Sequence, residues 1–413
     1  MFEARLPALV PVAALTAGDE DSTAFLTSSE GFLGHRDTIV DVACAPPSEA
    51  AYSGDVRLRQ SVELKFGDFV AYYSAKCSGG THWLMETEDE LQFYLAQCPL
   101  LSTQPSTPAV LPGLAPLFPP PAAIAKVPMT QVNLWMTLAA SATTLHYDAY
   151  DNILRVVRGT KYVRLFTPTS AVAAHPVYSK SANHSLLQMA DIEAREPTYS
   201  FTVTPNNALF IPEGWWHQVS SEPFTIAVNY WFDGLRPALV MHPHMQPYYA
   251  RVLVEDLITQ ARKAHKVAFV KAAASLMRTE KHLPFPDSSV AGIASYIARQ
   301  GTAAATLLCL VPNDSVHPVC LALSAYHPEF WKSLLLEGAS PDAIEYLTES
   351  WDDHDRIVAT TGVESASAFF SQLYEPFSEL EEAALQDHLL ATKEAFAKSV
   401  ARQVLHDALG WQT

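Results

Sequence analysis

Two histidines and one aspartate have the spacing of a metal site. His146 and Asp148 stand two positions apart, and His217 follows His146 by 71 positions. On a β-strand the side chains at positions i and i+2 point to the same face, so an imidazole and a carboxylate can share one ion. Three protein ligands on one face of an octahedral ion leave three positions open, as non-haem Fe(II) oxygenases require. The pattern therefore predicts an enzyme.

Strand-like sequence surrounds all three candidate ligands. β-Branched and aromatic residues are concentrated at 132–138, 153–157, 208–211 and 224–232. Such residues favour strands, so we expect His146 and Asp148 to lie inside a sheet. Two metal-bearing strand regions with a hairpin between them indicate a small barrel whose ligands face the lumen.

A long series of ordered motifs makes the pattern specific. The motifs are Leu-His-Tyr-Asp at 145–148, Gly-Thr-Lys at 159–161, Arg-Leu-Phe-Thr-Pro at 164–168, Phe-Ile-Pro-Glu-Gly-Trp-Trp-His at 210–217 and Val-Asn-Tyr-Trp at 228–231. In this order they resemble the JmjC family of Fe(II)- and 2-oxoglutarate-dependent oxygenases. The likeness is to its small cupin-like hydroxylase branch, which includes factor inhibiting hypoxia-inducible factor and compact plant JmjC proteins. It covers about residues 130–233 clearly and about 56–100 more weakly.

The resemblance implies the fold and the central site residues. It implies a mainly β domain with the double-stranded β-helix of the cupin-like jelly roll, in which His146, Asp148 and His217 bind Fe(II). 2-Oxoglutarate and O2 would occupy the open metal positions. Lys161 matches the family's lysine for the distal carboxylate of 2-oxoglutarate, where an ammonium gains strength from the low dielectric of the lumen. Judged from Gly159-Thr160-Lys161 alone, a solvated hairpin lysine would be the better explanation of Lys161.

Four more residues match positions that assist the cosubstrate in the family. Thr143 and Tyr94 match hydroxyl groups near the distal carboxylate, although a core tyrosine is an equal explanation of Tyr94. Asn152 and Asn229 match positions near the carboxylate that binds the metal, where buried amides donate without adding charge.

Other aromatic residues and histidines have simpler explanations. Strand tryptophans are more often core residues than substrate platforms, so we expect one or two of the nearby four to line the pocket: Trp135, Trp215, Trp216 and Trp231. Tyr147 should pack on the face opposite the ligands. No chemistry is assigned to three histidines that lack a third partner in a strand setting: His184, His242 and His244.

The reaction that the resemblance implies leaves the substrate open. Oxidative decarboxylation of 2-oxoglutarate gives succinate and CO2, coupled to hydroxylation of a C–H bond. An N-methyl carbon undergoes the same hydroxylation before it leaves as formaldehyde, so lysine (histone) demethylation is the alternative to hydroxylation of a protein side chain. RNA hydroxylation is a third possibility. A non-redox cupin or a binding module would have no need of an open metal face beside a buried cation.

Composition and net charge limit the classes of substrate and partner that the protein could bind. The chain has 413 residues, 49% hydrophobic and 17% charged, which describes a folded protein with a large core. Its net charge of −17 opposes a broad surface for RNA and suits a basic protein or peptide substrate. The five cysteines form no CxxC pair, which favours reduced thiols and a cytoplasmic or nuclear location. No apolar run is long enough for a membrane span.

The N-terminal two thirds divide into an extension and the β domain. We assign residues 1–55 to an N-terminal extension and 56–235 to the JmjC domain, with a turn at Ala45 to Ser48. Residues 56–97 predict a strand and a helix, ending in an amphipathic stretch from Glu86. Prolines exclude a regular helix or central strand from 101–126, which we place as a loop near the mouth of the barrel.

After the β domain the pattern becomes helical. Apolar residues recur at helical intervals over 248–277 and 377–409, which predicts a helical C-terminal domain over 236–413. Its apolar stripes should mainly form the core of that domain. Homodimerisation or substrate docking through these helices is the functional alternative.

Overall fold

The chain forms two compact units, Met1–Val252 and Leu253–Thr413. The computed structural model describes residues 4–11, 31–47, 51–52, 60–87, 91–105, 107–179, 181–233, 242–278 and 285–410. The predicted domain boundaries at 55/56 and 235/236 stay predictions, and both lie outside the described residues, as does the Ser48 end of the predicted turn.

Strands build most of the first unit. The described part holds β1 (Ala8–Pro11), β2 (Ile39–Ala45), β3 (Ala51–Tyr52), β4 (Gln60–Lys65), β5 (Gln92–Ser102), β6 (Met129–Thr137), β7 (Ser141–Thr143), β8 (Asp151–Arg158), β9 (Lys161–Phe166), β10 (Tyr199–Val203), β11 (Asn207–Ile211), β12 (Trp216–Ser221) and β13 (Ile226–Phe232). Helices α1 (Phe66–Ser78) and α2 (Met189–Glu193) accompany them, with short 3-10 turns at Phe32–His35, Trp83–Thr87, Pro112–Leu117, Ala122–Ile124 and Pro243–Met245.

The strands form two sheets. One sheet has the order β1-β11-β8-β13-β6-β5-β2-β4, and the other has the order β10-β9-β12-β7-β3. Neighbouring strands are antiparallel, except that β3 runs parallel to β7. Buried side chains of both sheets share one core cluster, for example Leu154 of β8 and Leu165 of β9. The predicted cupin-like jelly roll is confirmed.

Side chains along β13 point alternately to the packed core and to the lumen of the barrel. Val228 and Tyr230 pack in a core cluster that also contains Phe69 of α1. The intervening Asn229 and Trp231 line a cavity inside the barrel. Because successive strand residues point to opposite faces, one strand supplies both a packed outer layer and a polar lumen.

Of two segments around β5, the first differs in detail from the expectation. The amphipathic stretch from Glu86 leads into β5, which runs from Gln92 to Ser102. Beyond that strand, the proline-rich segment contains only short 3-10 turns among its described residues, as its prolines require. Leu114 and Ile124 of this segment are buried in the core, and none of its described residues lines the cavity, so its expected place near the mouth of the barrel stays a prediction.

Helices build the second unit, as predicted. They are α3 (Gln246–Arg278), which begins in the first unit, α4 (Val290–Ile297), α5 (Ala304–Leu308), α6 (Val316–Tyr326), α7 (Pro328–Ser333), α8 (Pro341–Trp351), α9 (His354–Thr361), α10 (Ala366–Tyr374) and α11 (Glu379–Leu409), with a 3-10 turn at Gly301–Ala303 and a π turn at Leu334–Gly338. A capping box of Ser378 and Glu381 begins α11, and Gly410 in the left-handed conformation ends it. Among the described residues, no helix combines the length and apolar character needed to cross a membrane.

Candidate active site

The three candidate metal ligands meet in the lumen of the barrel. One potential ligand atom from each of His146, Asp148 and His217 lies within 4.8 Å of the others. Backbone hydrogen bonds join the two histidine segments, with 2.7 Å from His217 N to the carbonyl oxygen of His146 and 3.1 Å for the reverse bond. This pairing brings together residues that are 71 positions apart.

The local structure of the first two ligands differs from the prediction. We expected His146 and Asp148 inside a sheet, but they lie between β7 and β8, where His146 forms isolated bridges to His184 and His217. Gly214 N donates to the carbonyl oxygen of Asp148 over 2.9 Å and holds the segment in place. The ligands therefore converge because two distant segments of the chain pair with each other. The alternation of side chains along a single strand does not bring them together.

Both histidines are held in the tautomer that suits a metal. Nδ1 of His146 lies 2.7 Å from the carbonyl oxygen of Thr144, and Nδ1 of His217 lies 2.9 Å from that of Trp215. A carbonyl oxygen can only accept, so each Nδ1 donates and each Nε2 keeps a lone pair for a metal ion. Burial, together with the neighbouring His146, lowers the pKa of His217 to about 4, so its ring is neutral at neutral pH.

Neutral donors orient the carboxylate of Asp148. Asn152 Nδ2 donates to Oδ2 over 3.1 Å, and Trp231 Nε1 donates to the same oxygen over 3.2 Å. These bonds hold the carboxylate without adding a competing charge beside the metal position. Two imidazole nitrogens and one carboxylate form the donor set that suits Fe(II) with open positions.

Lys161 places a cation in the same cavity. The hairpin between β8 and β9 turns at Gly159, whose φ of 81° suits glycine, and Lys161 begins β9. The side chain is only 3% exposed, and Nζ donates to Ser221 Oγ over 2.8 Å. Burial lowers the pKa of the ammonium to about 7. A buried cation of this kind favours an anionic ligand.

All eight residues that the sequence analysis assigned to the metal or the cosubstrate line one cavity. Its volume is about 350 Å³. The candidate metal and cosubstrate residues that line it are His146, Asp148, His217, Lys161, Thr143, Asn152, Asn229 and Tyr94. Lys161 Nζ lies 5.9 Å from the centre of the Tyr94 ring, so these two residues are neighbours in the wall of the cavity.

Hydrogen bonds fix the polar side chains of the wall. Thr143 Oγ1 accepts from Val219 N over 3.1 Å. Asn229 Oδ1 accepts from Trp135 Nε1 over 2.7 Å, and Asn229 Nδ2 lies 3.4 Å from Asn152 Oδ1. The amides thus form a short chain that ends at Asp148. Of the four nearby tryptophans, Trp135 and Trp231 line the cavity, within the expected number.

His184 is a cavity residue that sequence reasoning missed. Its ring stacks on that of His146 with 5.2 Å between centroids and 17° between planes, and its Nδ1 lies 3.3 Å from Thr144 Oγ1. Its neighbour Asn183 also lines the cavity. The two residues lie in a loop, and their sequence carries no strand pattern that would have predicted this position.

The turn before His217 requires glycine at position 214. Gly214 has a φ of +75°, and a Cβ there would lie 2.4 Å from the ring of Tyr248. Gly214→Ala should therefore lower the free energy of unfolding by roughly 2–4 kcal/mol through backbone strain and a steric clash. Gly79→Ala is the matched control, since φ is +71° but no atom of the described residues lies within 4 Å of the added Cβ, and it should cost about 1 kcal/mol. Urea denaturation would measure both; equal costs would contradict the steric argument.

Comparisons with known proteins agree with this geometry. Residues 40–236 match the cupin-like domain family. The chain is 25% identical to lysine-specific demethylase JMJ31 of Arabidopsis thaliana over 94% of this chain and 93% of that protein. It is 30% identical to the human bifunctional peptidase and (3S)-lysyl hydroxylase JMJD7 over 33% of this chain and 52% of that protein. It is 29% identical to lysine-specific demethylase JMJ32 of Arabidopsis thaliana over 25% of this chain and 41% of that protein. The matches to JMJD7 and JMJ32 thus span only about half of those proteins or less.

A cupin-like jelly roll that brings two histidines and one aspartate together in its lumen defines the class of protein as a 2-oxoglutarate-dependent oxygenase. The domain match and the named relatives point to one family. Residues 40–236 match a cupin-like domain, and the chain is similar to proteins named as JmjC demethylases and hydroxylases.

Proposed function

We propose that the protein is an Fe(II)- and 2-oxoglutarate-dependent dioxygenase that hydroxylates a protein side chain. The observation that carries this proposal is a His-Asp-His cluster and a buried lysine in one cavity. His146, Asp148 and His217 would bind Fe(II), and Lys161 would bind the distal carboxylate of 2-oxoglutarate. The residues assigned to further cosubstrate contacts are Thr143, Tyr94, Asn152 and Asn229.

The residues of the chain would bind the metal and the cosubstrate, orient them, and keep water out of the site. When bound, Fe(II), 2-oxoglutarate and O2 together supply the oxidising chemistry, which consumes the cosubstrate to succinate and CO2 and adds one oxygen atom to the substrate. The carbonyl groups beside His146 and His217 keep both Nε2 atoms directed at the metal. Apolar lining residues, Leu154, Ile211 and Val219, reduce access of water to the site.

The lining of the cavity favours a neutral target side chain. Among the described lining residues, Asp148 is the single carboxylate and belongs to the metal cluster. Gln60, Gln97, Asn183 and His184 supply the polar groups of the remaining wall. A methylated ammonium is usually held by carboxylates or by an aromatic cage. The described lining has no second carboxylate, although the rings of Tyr94, Trp135 and Trp231 line it, and its amide groups suit an uncharged side chain or a peptide backbone.

Lysine demethylation is the second candidate. It is favoured by the match to the Arabidopsis protein named lysine-specific demethylase JMJ31, which extends over 94% of this chain. RNA hydroxylation is the weaker alternative because the chain carries a net charge of −17. The free cysteines, four of them buried, are consistent with action in the cytoplasm or nucleus. Dimerisation through the C-terminal helices stays a prediction.

Three products distinguish the three candidate reactions. Purified protein with Fe(II), 2-oxoglutarate and O2 would be incubated with methylated lysine peptides and, separately, with unmodified cell proteins and RNA. A stable mass gain of one oxygen atom on a protein, without formaldehyde, is expected. Formaldehyde from the methylated peptides would establish demethylation instead, and an oxygenated nucleoside would establish RNA hydroxylation. Asp148→Ala is the inactive control.

Binding of 2-oxoglutarate should depend on pH through Lys161. Because burial lowers the pKa of this ammonium to about 7 in the ligand-free protein, the protonated form that binds a dianion becomes scarce above that pH. The dissociation constant should be nearly constant below pH 7 and rise above it, by up to about tenfold per pH unit. Calorimetric titration of 2-oxoglutarate into Mn(II)-loaded protein would measure this.

Lys161→Arg is the control for that dependence, because a guanidinium stays charged over the whole range. It should bind 2-oxoglutarate more weakly at every pH because the guanidinium has a different geometry, but its curve should lack the rise above pH 7. A wild-type curve that is flat through pH 7 to 9 would contradict the assignment of Lys161.

A further inference from the structure

A fully buried ionic cluster lies beside the metal-binding segments. Arg5 is 1% exposed and donates from Nη1 and Nη2 to the two carboxylate oxygens of Asp151, each over 2.6 Å. Glu213 Oε1 lies 3.6 Å from Arg5 Nη2, and both carboxylates are as deeply buried as the arginine. A bidentate guanidinium–carboxylate pair fixes direction as well as distance.

The two carboxylates belong to the two segments that carry the metal ligands. Asp151 follows Asp148 by three positions, and Glu213 precedes His217 by four. Asp151 Oδ1 also accepts from Glu213 N over 3.0 Å. The spacing between these segments sets the distance between Asp148 and His217, so a tie between them bears directly on the metal geometry.

Arg5 is itself held in place from several sides. Trp215 Nε1 donates to the carbonyl oxygen of Arg5 over 3.0 Å, and β1 pairs with β11, with Ala8 opposite Phe210. Arg5 has a φ of 53°, a left-handed conformation that a residue with a long side chain rarely adopts. Such backbone strain persists where the surrounding structure imposes it.

A tyrosine completes the cluster on its far side. Tyr248 OH donates to Glu213 Oε2 over 3.2 Å, and the Tyr248 ring contacts the turn at Gly214. The cluster thus places one cation between two carboxylates, with hydrogen bonds to the turn before His217. Its arginine comes from residues 4–11, which lie outside the matched cupin-like region 40–236.

We propose that Arg5 is a positioning residue for the metal centre. It clamps the Asp148 segment to the His217 segment through Asp151 and Glu213, so the N-terminal strand completes a site whose ligands all lie in the cupin-like domain. This inference rests on the proposed function, because it takes the His-Asp-His cluster as the metal site.

Mn(II), an oxygen-stable substitute for Fe(II), tests the clamp without any catalytic assay. The metal-free, full-length protein would be titrated with Mn(II) and free Mn(II) followed by electron paramagnetic resonance. Arg5→Met should weaken binding by about tenfold, the lower end of the effect of losing a direct partner of a metal ligand, because Arg5 acts on the ligands through Asp151 and Glu213. Arg5→Lys should lie between wild type and Arg5→Met, because one ammonium cannot bind both carboxylate oxygens in parallel.

Loss of stability alone must be separated from loss of positioning. Phe69→Leu lies in the buried core around α1 and is the destabilised control. It should keep wild-type Mn(II) affinity at a temperature at which circular dichroism shows all variants folded. Adding Asp151→Asn to Arg5→Met removes an uncompensated buried carboxylate, so the thermal midpoint should recover in part while Mn(II) binding stays weak.

The outcomes are distinct. Wild-type affinity in Arg5→Met, or recovery of affinity together with stability in the double variant, would overturn the positioning role while leaving the metal site intact. Failure of the wild-type protein itself to bind Mn(II) would overturn the proposed function, and the inference with it.

Discussion

Asp148→Ala is expected to abolish iron retention and 2-oxoglutarate turnover. The variant removes the single anionic ligand of the His-Asp-His cluster. It also removes the oxygen that accepts hydrogen bonds from Asn152 and Trp231. Loss of a partner outside the ligand shell typically costs about 10–100-fold in metal affinity, so loss of the ligand itself should cost more than about 100-fold. Iron content after anaerobic loading and desalting, together with succinate formation, would measure both effects.

Asp191→Ala is the matched control for that experiment. Asp191 is exposed in α2 of the same unit and belongs to no metal cluster of the described residues. It should retain iron and turnover at the wild-type level. Wild-type turnover in Asp148→Ala would refute the assignment of the metal ligands.

Lys161→Met is expected to act in opposite directions on binding and on stability. Truncating one partner of a buried charge pair costs about 2–5 kcal/mol, so the dissociation constant for 2-oxoglutarate should rise by roughly 30-fold to several thousand-fold. The ligand-free protein should become more stable, because methionine fills a similar volume without a buried cation. Calorimetric titration and thermal unfolding would measure the two effects.

The gain in stability should itself depend on pH. The pKa of Lys161 is lowered in the folded protein to about 7, against about 10.4 in an unfolded chain. The wild-type protein therefore gains stability as pH rises from 7 toward 10.4, and the advantage of Lys161→Met should be largest below pH 7. Lys126→Met, at an exposed position, should change neither binding nor stability. A Lys161→Met protein that binds 2-oxoglutarate normally would contradict the anchor assignment.

Much of the fold followed from local sequence patterns. The β-branched runs at 132–138, 153–157, 208–211 and 224–232 correspond to strands β6, β8, β11 and β13. Their alternation predicts a polar lumen, because every second residue must face away from the packed core. The helical periodicity after the β domain predicted the helices of the second unit for the same kind of reason.

The site residues that lie in or beside long sequence motifs could be predicted. All eight residues assigned to the metal and cosubstrate line one cavity, although spacing alone could not have joined His217 to His146. The error concerned local structure: we placed His146 and Asp148 inside a sheet, whereas isolated bridges to His184 and His217 hold the segment. An i, i+2 pattern fits a strand and some loops equally well.

Contacts between residues that are far apart in the sequence could not be predicted, and the reason is physical. Arg5 pairs with Asp151 across 146 positions, and His184 stacks on His146 across 38. Neither contact has a local periodicity, because both arise only when the loops and the N-terminal strand close around the barrel. A charged residue near the N-terminus gives no sign in sequence that it will be fully buried.

The most direct test of the oxygenase site is the visible absorption of the protein with Fe(II) and 2-oxoglutarate in the absence of O2. Chelation of Fe(II) by the keto acid gives a weak charge-transfer band, which requires both the metal cluster and the cosubstrate anchor. We predict the band in the wild-type protein and its absence or strong loss in His146→Ala and Lys161→Ala. No band from folded, metal-loaded wild-type protein would contradict the account and favour a non-redox cupin or a binding module.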